Sequence, residues 1–314
     1  MSPGWTTAIF PPERVTVVGV VNATPDSFSD GGRIVSGEAR VDLAAAVDAA
    51  AALLAGGAHV LDVGGESTRP GSRAVPIELE VARVVPVIEA IAKRFDAPLS
   101  IDTRKSAVAA AALAAGARAV NDVSGLRFDP GLAEVVARSG AGLFLGHLRG
   151  TPETMQQAPR FADVVSEVGD ELADSVASAR AAGIPAERLA VDPGLGFGKD
   201  LGENLELLAH LEQLRARLGL PILVGPSRKS FLGRITGDPV EARDVATAAA
   251  CAVAAFLGAD AVRVHDAAGA SRAVLVGRAI REAQQARKAR AQRGAAERSK
   301  RAGPERPERP EGAR

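Results

Sequence analysis

The sequence predicts a single-domain α/β fold, a (β/α)8 barrel, and two observations carry that expectation. Short β-branched or apolar runs alternate with longer helical patterns from Arg14 to about Glu282, the alternation that builds a parallel sheet covered by helices. Eight such units in about 270 residues is the count and size at which strands and helices close into a barrel. A doubly wound open sheet competes with this reading, but no dinucleotide glycine fingerprint follows the first strand.

Taken in order, the strand candidates are Val15–Val20, His59–Val63, Leu99–Ile101, Ala119–Val120, Gly142–Leu145, Leu189–Val191, Ile222–Val224 and Ala261–Val264. Each is short and apolar, several are β-branched, and turn residues bound them, as buried parallel strands require. Amphipathic or alanine-rich helical segments fall between them at Arg40–Leu54, Glu78–Arg94, Ser106–Ala115, Asp163–Ala182, Asn204–Arg217 and Val240–Leu257. No linker interrupts the series, so residues 14–286 read as one barrel. Residues 1–13, with Trp5 and Pro11-Pro12, read as a loose lead-in.

Composition narrows the class. The chain is 46% hydrophobic, enough for one large core. Its net charge of zero is uneven: ten Lys/Arg face four Glu from Arg287 onward, a net of +6, which leaves −6 on the remainder. Residues 287–314 have almost no large apolar side chains and are expected to form a disordered basic tail, solubilising and without a nucleic-acid partner. The single cysteine, Cys251, excludes an internal disulfide and fits a reducing cytoplasm. No basic segment leads into an apolar run at the N-terminus, and charges and glycines break the alanine runs too often for a bilayer span, so no membrane partner is expected.

Barrels of this kind place chemistry in the loops that follow the strands. Here the strands run out into Asn22, Asp62-Val63-Gly64-Gly65, Asp102, Asn121-Asp122, His147, Asp192, Ser227-Arg228-Lys229 and Arg263-Val264-His265. The stretch Asp192 to Lys199 is the most pointed: a carboxylate at a strand end, then proline and three glycines, then a lysine. A carboxylate there suits a heterocycle with adjacent N–H donors, because it accepts two hydrogen bonds side by side. An N-cap in an ordinary turn would use the same residues. Arg263 and His265 lie two apart on one strand and so share a face.

Several stretches resemble the signatures of dihydropteroate synthases, which are pterin-binding TIM barrels. They are Val20 to Gly32 (Val-Val-Asn-Ala-Thr-Pro-Asp-Ser-Phe-Ser-Asp-Gly-Gly), Gly64 to Gly71 (Gly-Gly-Glu-Ser-Thr-Arg-Pro-Gly), Ser100 to Thr103, Asn121 to Gly125, Asp192 to Lys199, Gly225 to Ser230 and Arg263 to Asp266. The resemblance covers about residues 15 to 282, with the seven motifs in the family's order.

It implies a transferase of folate biosynthesis. That reaction condenses 6-hydroxymethyl-7,8-dihydropterin diphosphate with p-aminobenzoate and yields dihydropteroate and diphosphate. Asp102, Asn121 and Asp192 then read the pterin edge, with Phe197 and Val123 against the ring faces. Lys229 reaches the pterin carbonyl and the aminobenzoate, and Ser230 lies at the aminobenzoate carboxylate. Arg263 and His265 hold the diphosphate, Thr68 touches it, and Asn22 binds a Mg²⁺ on its oxygens. Phe28 and Pro70 help form the aminobenzoate pocket. Asp30 and Arg69 hold the closed lids and act with Lys229 as the catalytic set. Lys199 is a weaker candidate that shields the site. The resemblance also implies a homodimer formed by late barrel helices, and competition by sulfonamides.

One departure stands out. Where the family commonly has Met-His-Met, this chain has Gly146-His147-Leu148, which predicts a roomier pterin pocket. Two rivals share the pterin readers: a methyltetrahydrofolate-type methyltransferase and a non-catalytic pterin-binding paralogue. The Arg-x-His pair and the Ser-Thr-Arg-Pro loop argue against the first, and the intact Asp30, Thr68, Arg69 and Lys229 against the second.

Overall fold

The computed structural model describes residues 9–23, 35–36, 40–69, 71–72, 74–151, 153–155 and 161–302. Strand β1 (Thr16–Asn22) is followed by a small antiparallel pair, β2 (Val35–Ser36) and β3 (Arg40–Val41), that periodicity did not reveal because each arm is only two residues long. Then come α1 (Leu43–Ala55), β4 (Val60–Gly64), α2 (Ile77–Arg94), β5 (Leu99–Asp102), α3 (Ser106–Ala114), β6 (Ala119–Asp122), α4 (Gly131–Ser139) and β7 (Gly142–Gly146). The second half adds α5 (Val164–Ala181), β8 (Leu189–Asp192), α6 (Leu201–Ala209), α7 (Leu211–Leu218), β9 (Leu223–Val224), α8 (Ser230–Thr236), α9 (Asp244–Phe256), β10 (Ala261–Val264) and α10 (Ala267–Ala302).

The eight longer-range strands form one parallel sheet in the order β8-β7-β6-β5-β4-β1-β10-β9. Its ends meet through a parallel bridge between Val191 and Ile222, beside which the Val191 N–H donates to the Pro221 carbonyl at 2.9 Å. The predicted barrel therefore closes.

Two layers of side chains explain how the barrel makes a site. Val18, Val60, Ala119, Phe144, Ala190, Leu223 and Ala261 sit near the strand beginnings and form an apolar layer with Ile9 and Phe10. Successive residues of a strand alternate faces. Two positions further on, the same interior face therefore carries Val20, Asp62, Asn121, Gly146, Asp192, Gly225 and Arg263. Dry packing below thus becomes a polar floor above within one step of each strand.

Three expectations need correction. Ile9 and Phe10 are buried, Phe10 meeting Phe144 edge-on at 5.8 Å; part of the lead-in is core, because the barrel's lower mouth needs apolar filler. The helix expected over Asn204–Arg217 is two, divided at His210, and the first begins at Leu201 under a capping box of Asp200 and Glu203. The last helix runs through Ala302, past Arg287, where the tail was expected to begin. Ala, Arg, Lys, Gln and Glu enter helices at little cost, so scarcity of apolar residues does not stop the helix. Residues 303–314 lie outside the described residues. Cys251 is buried, and burial pushes its thiol up to about 12, which leaves it a packing residue.

Candidate active site

The strand ends converge as expected on one cavity of about 380 Å³. Asn22, Asp102, Asn121 and Asp192 line it from the strand tips. Lys229, Ser230, Arg263 and His265 line it from the last two barrel units, Thr68 and Arg69 from the loop after β4, and Phe197 from the glycine turn. Phe28, Asp30 and Pro70 lie outside the described residues.

The floor is organised by a residue to which sequence reading gave no role. Asp62 is fully buried in β4 and accepts hydrogen bonds from Ser100 Oγ at 2.6 Å, Asn121 Nδ2 at 3.0 Å and Arg263 Nε at 2.6 Å. Arg263 Nη2 also donates to Asp102 at 2.6 Å. Two carboxylates therefore lock the guanidinium plane, and Asp62 and Asp102 raise its pKa against the opposing effect of burial. Burial pushes the Asp102 carboxyl upward, and Arg263 restrains that shift. Asp102 is not a helix cap: Lys105 holds the N-cap position of α3, and Asp102 pairs with Arg263 instead. The available signal for Asp62 was a carboxylate inside the strand Val-Leu-Asp-Val-Gly, since such a group is rarely buried without partners.

One wall is the turn after β8. Asp192 Oδ1 accepts the Gly194 N–H at 2.7 Å, and burial pushes its carboxyl upward. Gly194 has φ 70°, and a Cβ there would collide with the His147 carbonyl, so only glycine lets the turn lie this close to β7. Lys229 Nζ sits 3.7 Å from the centre of the Phe197 ring, a cation–π contact. Burial pushes Lys229 down to about 8. Lys199, expected only to shield the site, is buried beneath the turn, and burial pushes it down to about 7. His147, one of the polar strand ends, also lines the cavity, although the resemblance gave it no role.

The other wall is cationic. Ser227 Oγ accepts the His265 N–H at 3.1 Å and lies 2.9 Å from His265 Nδ1. Its hydroxyl proton can then go to Nδ1, which makes Nε2 the ring donor. Burial, then the charges of Arg263, Arg228, Arg69 and Lys229, push His265 down to about 3. Arg228 takes a left-handed backbone (φ 56°) that is costly for a bulky residue. Asp244 grips its guanidinium at 2.7 and 2.8 Å, and its N–H donates to Thr247 Oγ1 at 3.0 Å. That brace fixes the chain immediately before Lys229.

Among the described residues no group of His, Cys, Asp and Glu can hold a metal by itself. Asn22, beside His265 at the cavity edge, fits an ion that draws most of its ligands from phosphate oxygens and water, as Mg²⁺ does.

The loop bearing Thr68 and Arg69 is clasped at its base. Glu66 accepts the Val75 N–H at 2.8 Å and pairs with Arg104 and Lys105, while Lys105 Nζ donates to the Val75 carbonyl at 2.6 Å. The expectation of extra room at Gly146 fails. A Cβ on Gly146 would come within 2.6 Å of Val123 Cα, so backbone already fills that space.

A polar floor with a cationic rim at the carboxyl ends of a (β/α)8 barrel defines an enzyme that binds a flat heterocycle bearing an anionic group. A family profile for pterin binding enzymes matches residues 18–265, and the chain belongs to that family. The dihydropteroate synthase of Synechocystis sp. is 44% identical over 255 residues, 81% of this chain and 86% of that protein. The Yersinia pestis dihydropteroate synthase, solved with a sulfonamide drug complex, has a TM-score of 0.81 at 41% identity and covers 86% of this chain and 95% of its own. The Xanthomonas albilineans dihydropteroate synthase, solved with 4-aminobenzoic acid, has a TM-score of 0.77 at 45% identity over 85% of this chain and 93% of its own.

Proposed function

We infer that this chain catalyses the dihydropteroate synthase reaction of folate biosynthesis. The amine of p-aminobenzoate attacks the methylene carbon of 6-hydroxymethyl-7,8-dihydropterin diphosphate. A C–N bond forms, the C–O bond to diphosphate breaks, and the amine loses its proton. The observation that carries this reading is a single cavity with Asp102, Asn121 and Asp192 on its floor and Arg263, His265 and Lys229 around it.

A weakly basic amine displacing diphosphate needs positioning and anion stabilisation more than a strong base. Asp192 accepts from the amino group and ring N–H of the pterin, with Asn121 and Asp102 completing the edge. Phe197 packs on a ring face while Lys229 donates to the pterin carbonyl. Arg263, its plane fixed by Asp62 and Asp102, and the Nε2–H of His265 meet the diphosphate, with Thr68 beside them. Asn22 would hold a Mg²⁺, and that ion would supply neutralisation of charge on the leaving oxygens. Ser230, Phe28 and Pro70 receive p-aminobenzoate, and Asp30 with Arg69 closes the loops so that water does not capture the methylene carbon.

A second copy of the chain covers the outer face of α9 and α10, where Val245, Val253, Leu275, Val276 and Ile280 are exposed. No helix among the described residues is long and apolar enough to cross a membrane, and the protein works in the cytoplasm. Diphosphate release on mixing both substrates tests the activity. Release that requires p-aminobenzoate and Mg²⁺ supports it, whereas pterin binding without turnover favours the non-catalytic rival. Sedimentation as a monomer would refute the dimer.

A further inference from the structure

The turn from Asp192 to Lys199 carries two side chains assigned to the pterin, yet it has no repeating backbone pattern to hold its shape. Gly194, Gly196 and Gly198 all have positive φ, at 70°, 79° and 62°. A run of left-handed glycines is conformationally free in isolation, so something must select this one form.

Two side chains from the end of the turn do so. Asn204 Oδ1 accepts the Gly196 N–H at 2.5 Å, and its Nδ2 donates to the Lys199 carbonyl at 3.1 Å. From the other side comes Lys199, only 4% exposed. Its Nζ lies 3.0 Å from the carbonyls of Gly194 and Phe197 and 2.9 Å from His147 Nδ1. An ammonium has three donors, and these acceptors match them. With Nδ1 accepting, His147 presents Nε2–H to Glu171 at 3.0 Å. Arg149 pairs with the same carboxylate and stacks on Phe161 at 3.9 Å, so the chain of contacts ends on the barrel wall.

We propose that Lys199 is a positioning residue for the pterin substrate, holding the glycine turn so that Asp192 and Phe197 keep the places from which they meet the ring. The proposal rests on the reading of this cavity as a pterin pocket. Lys199 is not among the cavity-lining residues and acts through its neighbours. Pinning the Phe197 carbonyl fixes the ring beneath Lys229, and pinning the Gly194 carbonyl fixes the residue whose N–H holds Asp192. A lysine that served only to satisfy buried carbonyls would affect stability, with no preference between the two substrates.

The test uses the full chain with Lys199→Met and Glu171→Gln. Calorimetry gives the Kd for 6-hydroxymethylpterin, steady-state kinetics give KM for each substrate, and thermal melting reports the fold. Lys199→Met is expected to weaken pterin binding about ten-fold, the scale of one lost charged hydrogen bond, with the KM for p-aminobenzoate within about two-fold. Glu171→Gln weakens the contact one residue removed, so it should give a smaller loss in the same direction. Unchanged pterin affinity in folded Lys199→Met overturns the proposal, as does a parallel rise in both substrates' constants. If Lys199→Met does not fold, Glu171→Gln decides by the same criteria. A wild-type chain that binds no pterin refutes the pocket itself, and the role of Lys199 with it.

Discussion

Asp192→Asn isolates the pterin contact because the substitution leaves the turn intact. Oδ1 of Asp192 accepts the Gly194 N–H at 2.7 Å, and an amide oxygen can accept the same bond. The second carboxylate oxygen becomes an NH2 group, a donor facing the pterin's own donor. The loss is one charge-assisted hydrogen bond, about 1.5–3 kcal/mol, plus the cost of an unsatisfied buried donor, about 1–3 kcal/mol. Even about 3 kcal/mol corresponds to an affinity loss of roughly 100-fold or more. Stability should not fall. Burial lifts the Asp192 carboxyl above the usual carboxylate range, so any stabilisation it gives is present below that range and lost as pH rises through the folded pKa. At neutral pH the ionised group works against folding, and asparagine removes that charge. Calorimetry with 6-hydroxymethylpterin reads the affinity, and a thermal melt reads the fold. A folded variant that binds pterin within about three-fold of wild type would remove Asp192 from the pterin edge, since even the smallest term above exceeds that.

Arg69→Ala should lower turnover by about ten-fold or more while leaving pterin affinity within about two-fold, because its loop matters after the first substrate docks; equal losses in kcat and pterin binding would place Arg69 elsewhere. With His265 pushed down to about 3, Lys199 to about 7 and Lys229 to about 8, kcat/KM should show no histidine step near pH 6.5 and should decline as pH rises from about 7 through about 8, where the Lys199 and Lys229 ammonium groups are lost. A pH–rate profile checks both, and a histidine limb near 6.5 would mean that imidazole is charged when it acts. Gly277→Ala should lower the melting temperature by several degrees, because its new Cβ would strike the Ala252 carbonyl where α10 crosses α9, an overpacking worth about 1–3 kcal/mol.

Legibility followed the range of the forces involved. Strands such as Ala261–Val264 were read to the residue and the others to within one or two, because burial on both faces writes a continuous apolar run. Helices α4 and α8, segments of nine and seven residues beside the site motifs, span too few turns to show a helical period. The rim residues were readable because polar side chains at strand ends are visible as such. Asp62 and His147 were visible too, but their roles were not: each acts through partners distant in the chain, Asp62 through Arg263 and His147 through Lys199.

By itself the sequence determined the barrel, the side-chain types at each strand tip, and the family whose motifs they form, because hydrophobic period and motif spacing are local properties of the chain. Tertiary structure alone decided that Ile9 and Phe10 are core, that Val123 backbone fills the space beside Gly146, and that Lys199 lies beneath the glycine turn. Those outcomes depend on which surfaces meet when a sheet closes on itself, and close packing between distant segments leaves no periodic trace in the chain.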